Sequence, residues 1–216
     1  MSGEPGALAV VDLGRQAAGA YGRPDLAQRL DITRRRLTDP AVHVMVVGEF
    51  KQGKSSLVNA LVESTVCPVD DDVATAVPTA VRFADTPSAD VVHEAEGSAE
   101  PQIDAIPFTD LPVYASEAGN PGNERRVRSV EVGIPSSVLS GGLVLVDTPG
   151  VGGLGSVHSA ITMAALPMAD ALVFVTDASQ ELSAPEFDFL QRARDLCPNV
   201  VVALTKIDFY GEWRRI

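Results

Sequence analysis

Apolar residues in this chain gather in short runs that barely alternate with polar ones, and stretches of helical periodicity separate the runs. Strands of this kind are covered on both faces, which is typical of a mostly parallel sheet between layers of helices. The sequence therefore predicts an α/β fold. The predicted strands are residues 42–47, 80–84, 143–147, 171–176 and 200–204. The predicted helices are residues 54–63, about 157–166 and 185–196.

Residues 1–40 precede the first predicted strand and carry two helical patterns of their own. The second pattern begins after Pro24, places Leu26 and Leu30 on one face and ends before Pro40. We expect a helical segment over residues 1–40, distinct from a domain over residues 41–216. Two interpretations stay open: these helices dock elsewhere in a larger protein, or they cap the domain that follows.

Composition narrows the class of protein. The 216 residues are 45% hydrophobic, enough for one α/β core with a helical annex. The net charge of −12 argues against a nucleic-acid partner, and against this portion alone adhering to anionic lipid. Cys67 and Cys197 have no metal-binding spacing, and they are expected to be free thiols. With no signal peptide and no long apolar stretch, the sequence predicts a cytoplasmic protein.

Residues 48–55 fit the phosphate-binding pattern G-x-x-x-x-G-K-[ST] between a predicted strand and a predicted helix. The two glycines allow backbone N–H groups to point at phosphate oxygens. Lys54 would place its charge near the β- and γ-phosphates, and Ser55 would offer a hydroxyl to Mg²⁺. The predicted phosphate-binding residues of this P-loop are Gly48, Lys51, Gln52, Gly53, Lys54, Ser55 and Ser56.

The string Asp147-Thr148-Pro149-Gly150 ends a second apolar run. A carboxylate at the tip of a buried strand is suited to hold Mg²⁺ through a water molecule, and Gly150 could bring its N–H to a γ-phosphate. Taken alone, many strings of this kind are simply an aspartate that opens a proline turn. The glycine-rich residues 151–155 that follow are predicted to form switch II.

The string Thr205-Lys206-Ile207-Asp208 ends a third run and fits the pattern [NT]-K-x-D. An ionised Asp208 can accept paired hydrogen bonds from guanine, whereas adenine has no matching donors. The stem of Lys206 can lie over the purine ring while its ammonium stays hydrated. Thr205, Lys206 and Asp208 therefore predict a base site that favours GTP over ATP.

The stretch from Lys54 to Asp147 is about twice as long as one switch loop and a hairpin require. The extra length lies in residues 84–128, which are acidic and rich in proline and glycine. We expect a surface elaboration with short edge strands at residues 91–92 and 127–134. The alternative is a mobile acidic loop without a function.

The sequences of these motifs resemble those found in the G domains of TRAFAC-class GTPases. Residues 48–61, GEFKQGKSSLVNAL, resemble the P-loop string of bacterial dynamin-like proteins, and residues 74–79, ATAVPT, resemble their switch I. The resemblance covers about residues 41–212 and is closest to the actinobacterial isoniazid-inducible dynamin-like group. It implies a P-loop GTPase G domain that ends, incomplete, after the guanine motif, with residues 1–40 as a neck-like segment.

The resemblance also implies what the protein does. It implies GTP binding and hydrolysis with Mg²⁺, G-domain dimerisation, and membrane remodelling by a longer protein attached peripherally to the inner face of the plasma membrane. Two alternatives stay open: a regulatory switch GTPase without membrane activity, and a nucleotide-binding fragment that does not hydrolyse.

The resemblance assigns roles to individual residues. Ser55 and Thr75, with Asp147 behind a water molecule, would hold Mg²⁺, and Thr79 competes with Thr75 for this role. The expected catalytic residues are Lys54, Thr75 and Gly150. Eukaryotic dynamins place a catalytic glutamine where this chain has Phe50, and Gln52 is expected to point elsewhere. We therefore expect slow turnover unless dimerisation supplies a missing group.

Overall fold

The chain divides into two compact units, Met1–Ala41 and Val42–Ile216. The structure, a computed structural model, describes residues 5–38, 40–69, 74–95, 101–150, 162–197 and 199–215. The first unit contains helix α1 (Pro5–Ala20) and helix α2 (Pro24–Thr38), so both predicted helical patterns form helices. The docking or capping role of this unit stays a prediction.

Small residues and ion pairs join the two N-terminal helices. A Cβ added at Gly14 would lie 3.2 Å from Leu30 Cδ1, which means that the backbone of α1 approaches α2 closely there. Arg15 Nε lies 2.5 Å from Asp31 Oδ1, and Arg34 Nε lies 3.0 Å from Asp12 Oδ1. These pairs are partly exposed, so each contributes at most about 1 kcal/mol.

The second unit is built on an eight-stranded sheet with the order β4-β3-β5-β2-β6-β1-β7-β8. Four of the seven pairings are parallel: β1 with β6, β1 with β7, β7 with β8, and β2 with β5. The α/β fold with a mostly parallel sheet is therefore confirmed. The strands are β1 (Val42–Val47), β2 (Thr79–Phe83), β3 (Ser88–His93), β4 (Ile103–Ala105), β5 (Val127–Ile134), β6 (Leu143–Asp147), β7 (Ala171–Asp177) and β8 (Val200–Thr205).

Helices cover both faces of this sheet. Within β1, Val46 belongs to one buried cluster with Val58, while Met45 and Val47 belong to another with Phe189. Burial on both faces explains why this strand has no alternating polar residues. The described helices of this unit are α3 (Lys54–Val62), α4 (Leu111–Ala115), α5 (Ala184–Leu196), which begins with the Ser183–Glu186 capping box, and residues 162–165.

The insertion differs from its prediction. We expected edge strands at residues 91–92 and 127–134, but β3 and β5 both lie inside the sheet and β4 forms the edge. β5 pairs with β2 on one side and with β3 on the other. The pattern of apolar and polar residues reports which face of a strand is exposed and not which strands flank it, so the place of β3 and β5 in the sheet could not be read from it.

At the other end of the sheet, β8 has one described neighbour, β7. Val201 is 58% exposed and Val202 is 50% exposed, so this edge is apolar. Across the described ranges, no helix is both long and apolar enough to cross a membrane.

Candidate functional site

The P-loop joins β1 to α3 and fixes a buried lysine. A Cβ at Gly48 would lie 2.1 Å from the carbonyl oxygen of Val175, so only glycine lets the turn pass β7. Gly53 caps α3 in the left-handed region, with φ of 91°. Lys54 is 6% exposed and its Nζ donates to the carbonyl oxygen of Glu49 over 2.7 Å. Burial lowers the pKa of Lys54, and the carboxylates of Asp147 and Glu49 oppose that shift.

Three oxygen-bearing side chains converge beside this lysine. Ser55 Oγ donates to Asp147 Oδ2 over 2.6 Å. Thr75 Oγ1 lies 3.4 Å from Ser55 Oγ and 3.5 Å from Asp147 Oδ2. Asp147 is fully buried, and among the described residues its Oδ1 has no hydrogen-bond partner. Burial raises the pKa of Asp147, while the Ser55 hydroxyl and the Lys54 charge act to lower it.

This corner suits Mg²⁺, which prefers a few protein oxygens together with water and phosphate. Within the described ranges, no group of three or more His, Cys, Asp or Glu side chains could hold a metal ion. One carboxylate and two hydroxyls fit an ion whose remaining ligands come from a nucleotide. A buried carboxylate oxygen without a partner is consistent with a missing positive charge or a water molecule.

The two candidate switch threonines occupy different places. Thr75 reaches Ser55 and Asp147, whereas Thr79 begins β2, is fully buried and pairs with Asp147 in the antiparallel register. Thr75 is therefore the residue brought to the predicted metal corner. Gly150 lines the same cleft as Ser55 and Thr75, and a Cβ there would lie 3.0 Å from the Phe50 backbone.

The predicted base-binding residues lie at the end of β8, next to the P-loop. Thr205 Oγ1 donates to the carbonyl oxygen of Gln52 over 2.6 Å. Lys206 Nζ donates to Asp177 Oδ2 over 2.8 Å. Asp208 is exposed, and no hydrogen bond or ion pair with another described residue occupies its carboxylate. The arrangement leaves Asp208 available to a ligand while Thr205 and Lys206 are held by the scaffold.

Asp177 is a residue of this site that sequence reasoning missed. It ends β7 and is 8% exposed. Burial acts to raise the pKa of Asp177, but hydrogen bonds from Lys206 and Ser179 outweigh it and lower the pKa overall. An aspartate at the end of an apolar run was the one signal available, and it resembles the signal at Asp147.

Gln52 points away from the phosphate cleft, as expected. Its side-chain Oε1 accepts a hydrogen bond from the backbone N–H of Asp177, and the residue is 8% exposed. Phe50 stands at the rim with 47% of its surface exposed, and Lys51 Nζ lies 5.3 Å from the centre of its ring. Neither Gln52 nor Phe50 presents a polar side-chain atom to the cleft.

The cleft has further walls that the motifs do not mark. Pro68, Val69 and Ala74 line it together with the P-loop residues, Thr75 and Gly150. Asn59 fixes the segment that precedes Pro68, since its Oδ1 accepts hydrogen bonds from the N–H groups of Val66 and Cys67. Asn59 belongs to the string that carried the resemblance, yet no role was assigned to it. The predicted switch II, residues 151–155, lies outside the described residues.

Cys67 and Cys197 are buried free thiols, as predicted. Burial and the nearby Asp147 carboxylate raise the pKa of the Cys67 thiol well above its usual range. The protonated thiol is therefore favoured at this position, and the thiol adds no negative charge to the metal corner.

Comparisons with known proteins agree with this geometry. The profile of the dynamin family matches residues 44–206. The isoniazid-induced protein IniA of Mycobacterium tuberculosis is 45% identical over 194 residues, which are 90% of this chain and 30% of IniA. The isoniazid-induced protein IniC of the same organism is 30% identical over an alignment of 207 positions, which covers 91% of this chain and 39% of IniC.

A solved structure has the same fold. It comes from work described as an oligomerised bacterial dynamin pair with a mechanism for long-range sensing and tethering of membranes. The superposition has a TM-score of 0.66 at 17% identity, and covers 96% of this chain and 33% of that chain. This chain thus spans about 30–39% of the length of the relatives that it matches here.

Proposed function

Since this chain belongs to the dynamin family, we propose that it binds GTP with Mg²⁺ in the cleft between the P-loop and switch I and hydrolyses it to GDP and phosphate. The observation that carries this proposal is the convergence of Ser55, Thr75 and Asp147, within 2.6–3.5 Å of one another, beside the buried Lys54. The exposed carboxylate of Asp208 lies just after the end of β8, where guanine would bind.

The side chains of the cleft divide the work of phosphoryl transfer. Lys54 would neutralise charge that develops on the γ-phosphate, and the backbone N–H of Gly150 would donate to it. Ser55 and Thr75, with Asp147 behind a water molecule, would hold Mg²⁺, which would supply positive charge that offsets the charge of the phosphates. The backbone carbonyl of Thr75 would orient the attacking water.

Activation of that water limits the proposed rate. Phe50 cannot accept a proton or hold a water molecule, and Gln52 is bound to the Asp177 backbone. We therefore infer a slow intrinsic rate that rises when two G domains meet and a second copy completes the site. The exposed ring of Phe50 at the rim is compatible with such a contact.

Titration calorimetry together with phosphate release tests the proposal. We expect heat of binding with GTP and GDP in the presence of Mg²⁺, and much less heat with ATP. Phosphate release per chain should rise with protein concentration. Absence of heat with GTP, or equal competition by ATP, would contradict the nucleotide assignment. A fast rate that is independent of concentration would contradict the dimerisation step.

Membrane remodelling is proposed only for a longer protein that would contain this domain. It rests on family membership and on a solved neighbour whose description names the sensing and tethering of membranes. The net charge of −12 argues against adhesion of this chain alone to anionic lipid. Sedimentation of a full-length protein with liposomes, with and without GTP, tests it. Nucleotide-dependent binding of a protein partner without any lipid binding would favour a regulatory switch instead.

A further inference from the structure

We infer that the insertion between β2 and β6 positions Thr75 through a backbone clamp formed by Ala115, Ser116 and Glu117. The inference rests on the proposed function, since it concerns the threonine expected to hold Mg²⁺. The acidic insertion would then contribute to GTP hydrolysis by holding a ligand residue in place. Neither the sequence of the insertion nor the family motifs indicate this role.

Two backbone hydrogen bonds form the clamp, one on each side of Thr75. The N–H of Ala76 donates to the carbonyl oxygen of Ala115 over 2.8 Å, and the N–H of Glu117 donates to the carbonyl oxygen of Ala74 over 2.7 Å. Thr75 and Ser116 stand opposite each other in an isolated antiparallel bridge. The segment that carries the candidate ligand is thus paired with the insertion as a strand is paired with its neighbour.

The insertion side of the clamp is rigidly anchored. Leu111 and Ala115 of α4 are buried in the same core cluster as Ala76 and Val77. Ser116 follows the last residue of α4. Its Oγ donates to the carbonyl oxygen of Pro112 and accepts from the N–H of Gly119, so this side chain links the end of the helix to the loop that follows.

Two asparagines, of which Asn120 is buried, extend the anchor to β5. Asn120 is fully buried, and its amide nitrogen donates to the carbonyl oxygen of Tyr114 over 3.2 Å and to Asn123 Oδ1 over 2.9 Å. Asn123 in turn exchanges two 2.9 Å hydrogen bonds with the backbone of Val127, the first residue of β5. The clamp is therefore tied to a strand inside the sheet rather than to a loose surface loop.

This anchoring has a consequence for the metal corner. A threonine on an unrestrained loop loses conformational entropy when it becomes a ligand. The clamp orders Thr75 beforehand, with Oγ1 already 3.4 Å from Ser55 Oγ. Because GDP lacks the γ-phosphate that switch I would face, the clamp should matter more for GTP than for GDP.

A matched pair of variants at one position isolates the clamp. Glu117→Pro removes the N–H that donates to Ala74, while Glu117→Ala keeps this N–H, and both variants lose the carboxylate. Ser116 has an extended conformation, with φ of −105° and ψ of 152°, which a following proline tolerates. The difference between the two variants therefore reports the backbone hydrogen bond.

The readout is the Mg²⁺ concentration that gives half-maximal GTP hydrolysis, measured beside GDP affinity and melting temperature. One backbone hydrogen bond corresponds to roughly a 3- to 10-fold change. We expect Glu117→Pro to raise the half-maximal Mg²⁺ concentration by that factor relative to Glu117→Ala, with GDP affinity unchanged. A purely structural role would instead lower the melting temperature and weaken GTP and GDP alike.

Hydrogen exchange of the unmodified chain provides a second test that does not depend on how the proline variant folds. We expect the amides of Ala76 and Glu117 to become more protected together when Mg²⁺ and a non-hydrolysable GTP analogue are added, and less so with GDP. An exchange rate of the Glu117 amide that does not change when the analogue is added would overturn the inference. So would equal Mg²⁺ dependence of the two variants while the unmodified chain hydrolyses GTP. Failure of the unmodified chain to bind GTP would overturn the proposed function as well.

Discussion

The two walls of the phosphate cleft obtain their shape from different parts of the chain. The P-loop wall is specified locally: β1 enters it, α3 leaves it, and Gly53 supplies the left-handed turn between them. The switch I wall is specified at a distance, because Ala74 and Ala76 are hydrogen-bonded to Glu117 and Ala115 of the insertion. A motif can describe the first wall completely, whereas the second depends on a segment that carries no motif.

The largest effect is expected on the local wall. Lys54→Ala removes the buried ammonium beside Ser55 and Asp147, and we expect nucleotide affinity to fall by about 100-fold or more, since charged hydrogen bonds contribute about 1.5–3 kcal/mol each. Calorimetry with GDP measures it. Lys51→Ala is the matched control: it keeps the backbone N–H that Lys51 would offer to phosphate and removes only an ammonium that lies over the Phe50 ring, so affinity should change less than about threefold. Equal losses in both variants would contradict the role given to Lys54.

The second-largest effect is expected in the base site, at the turn formed by residues 205–208. Asp208→Asn replaces an acceptor pair by one acceptor and one donor, so guanine should lose about 100-fold in affinity and xanthine should gain. Competition between GTP and xanthosine triphosphate measures the change. Retention of guanine preference would mean that another residue recognises the base. Thr205 and Lys206 are held by Gln52 and Asp177, so the variant should leave their positions intact.

On the distant wall, Thr75→Ala should lower the rate of hydrolysis by about 10- to 100-fold while GDP affinity stays within about twofold. The physical reason is that its hydroxyl is expected to act on the triphosphate state alone. Thr75→Ser keeps the hydroxyl and should restore most of the rate. If Thr79→Ala lowers the rate equally without unfolding the chain, the choice between the two threonines is wrong.

The smallest effect is expected from a change far from any nucleotide. A Cβ at Gly119 would lie 2.4 Å from the carbonyl oxygen of Pro112 and 2.6 Å from Val113 Cα, so Gly119→Ala must displace the loop that anchors the clamp. We expect a loss of about 1–3 kcal/mol in the free energy of unfolding, and a severalfold rise in the Mg²⁺ requirement. Denaturant titration measures the first quantity. Gly141→Ala, whose added Cβ meets no atom within 4 Å, is the control.

Sequence reasoning located the parts of the fold whose signal is local. β1, α3, β6, β7, α5 and β8 lie within one residue of their predicted bounds, because each combines an apolar period with a turn or a cap. The place of β5 inside the sheet could not be read in the same way. Its burial pattern states which face is covered, but the identity of its neighbours depends on β2 and β3, which lie far from it in sequence.

The same distinction applies to the site. The P-loop, the residues 147–150 and the residues 205–208 were found because phosphate, metal and base each require a fixed spacing of residue types. Asp177 and the clamp escaped notice because their contributions are hydrogen bonds between distant segments. The clamp acts through backbone groups, which every residue type except proline provides in full. The residue types at positions 115 and 117 therefore do not indicate that the clamp is present.

The hydrogen bond from Thr205 Oγ1 to the Gln52 carbonyl fastens the guanine turn to the P-loop. Because this bond couples the two turns, we expect that any ordering of one turn by either end of the nucleotide also orders the other. Guanosine alone and tripolyphosphate alone would each bear that ordering in full, whereas the intact nucleotide bears it once. Their separate binding free energies should consequently sum to less than that of GTP, so this domain would respond weakly to cellular nucleosides and polyphosphates and strongly to the molecule that joins them.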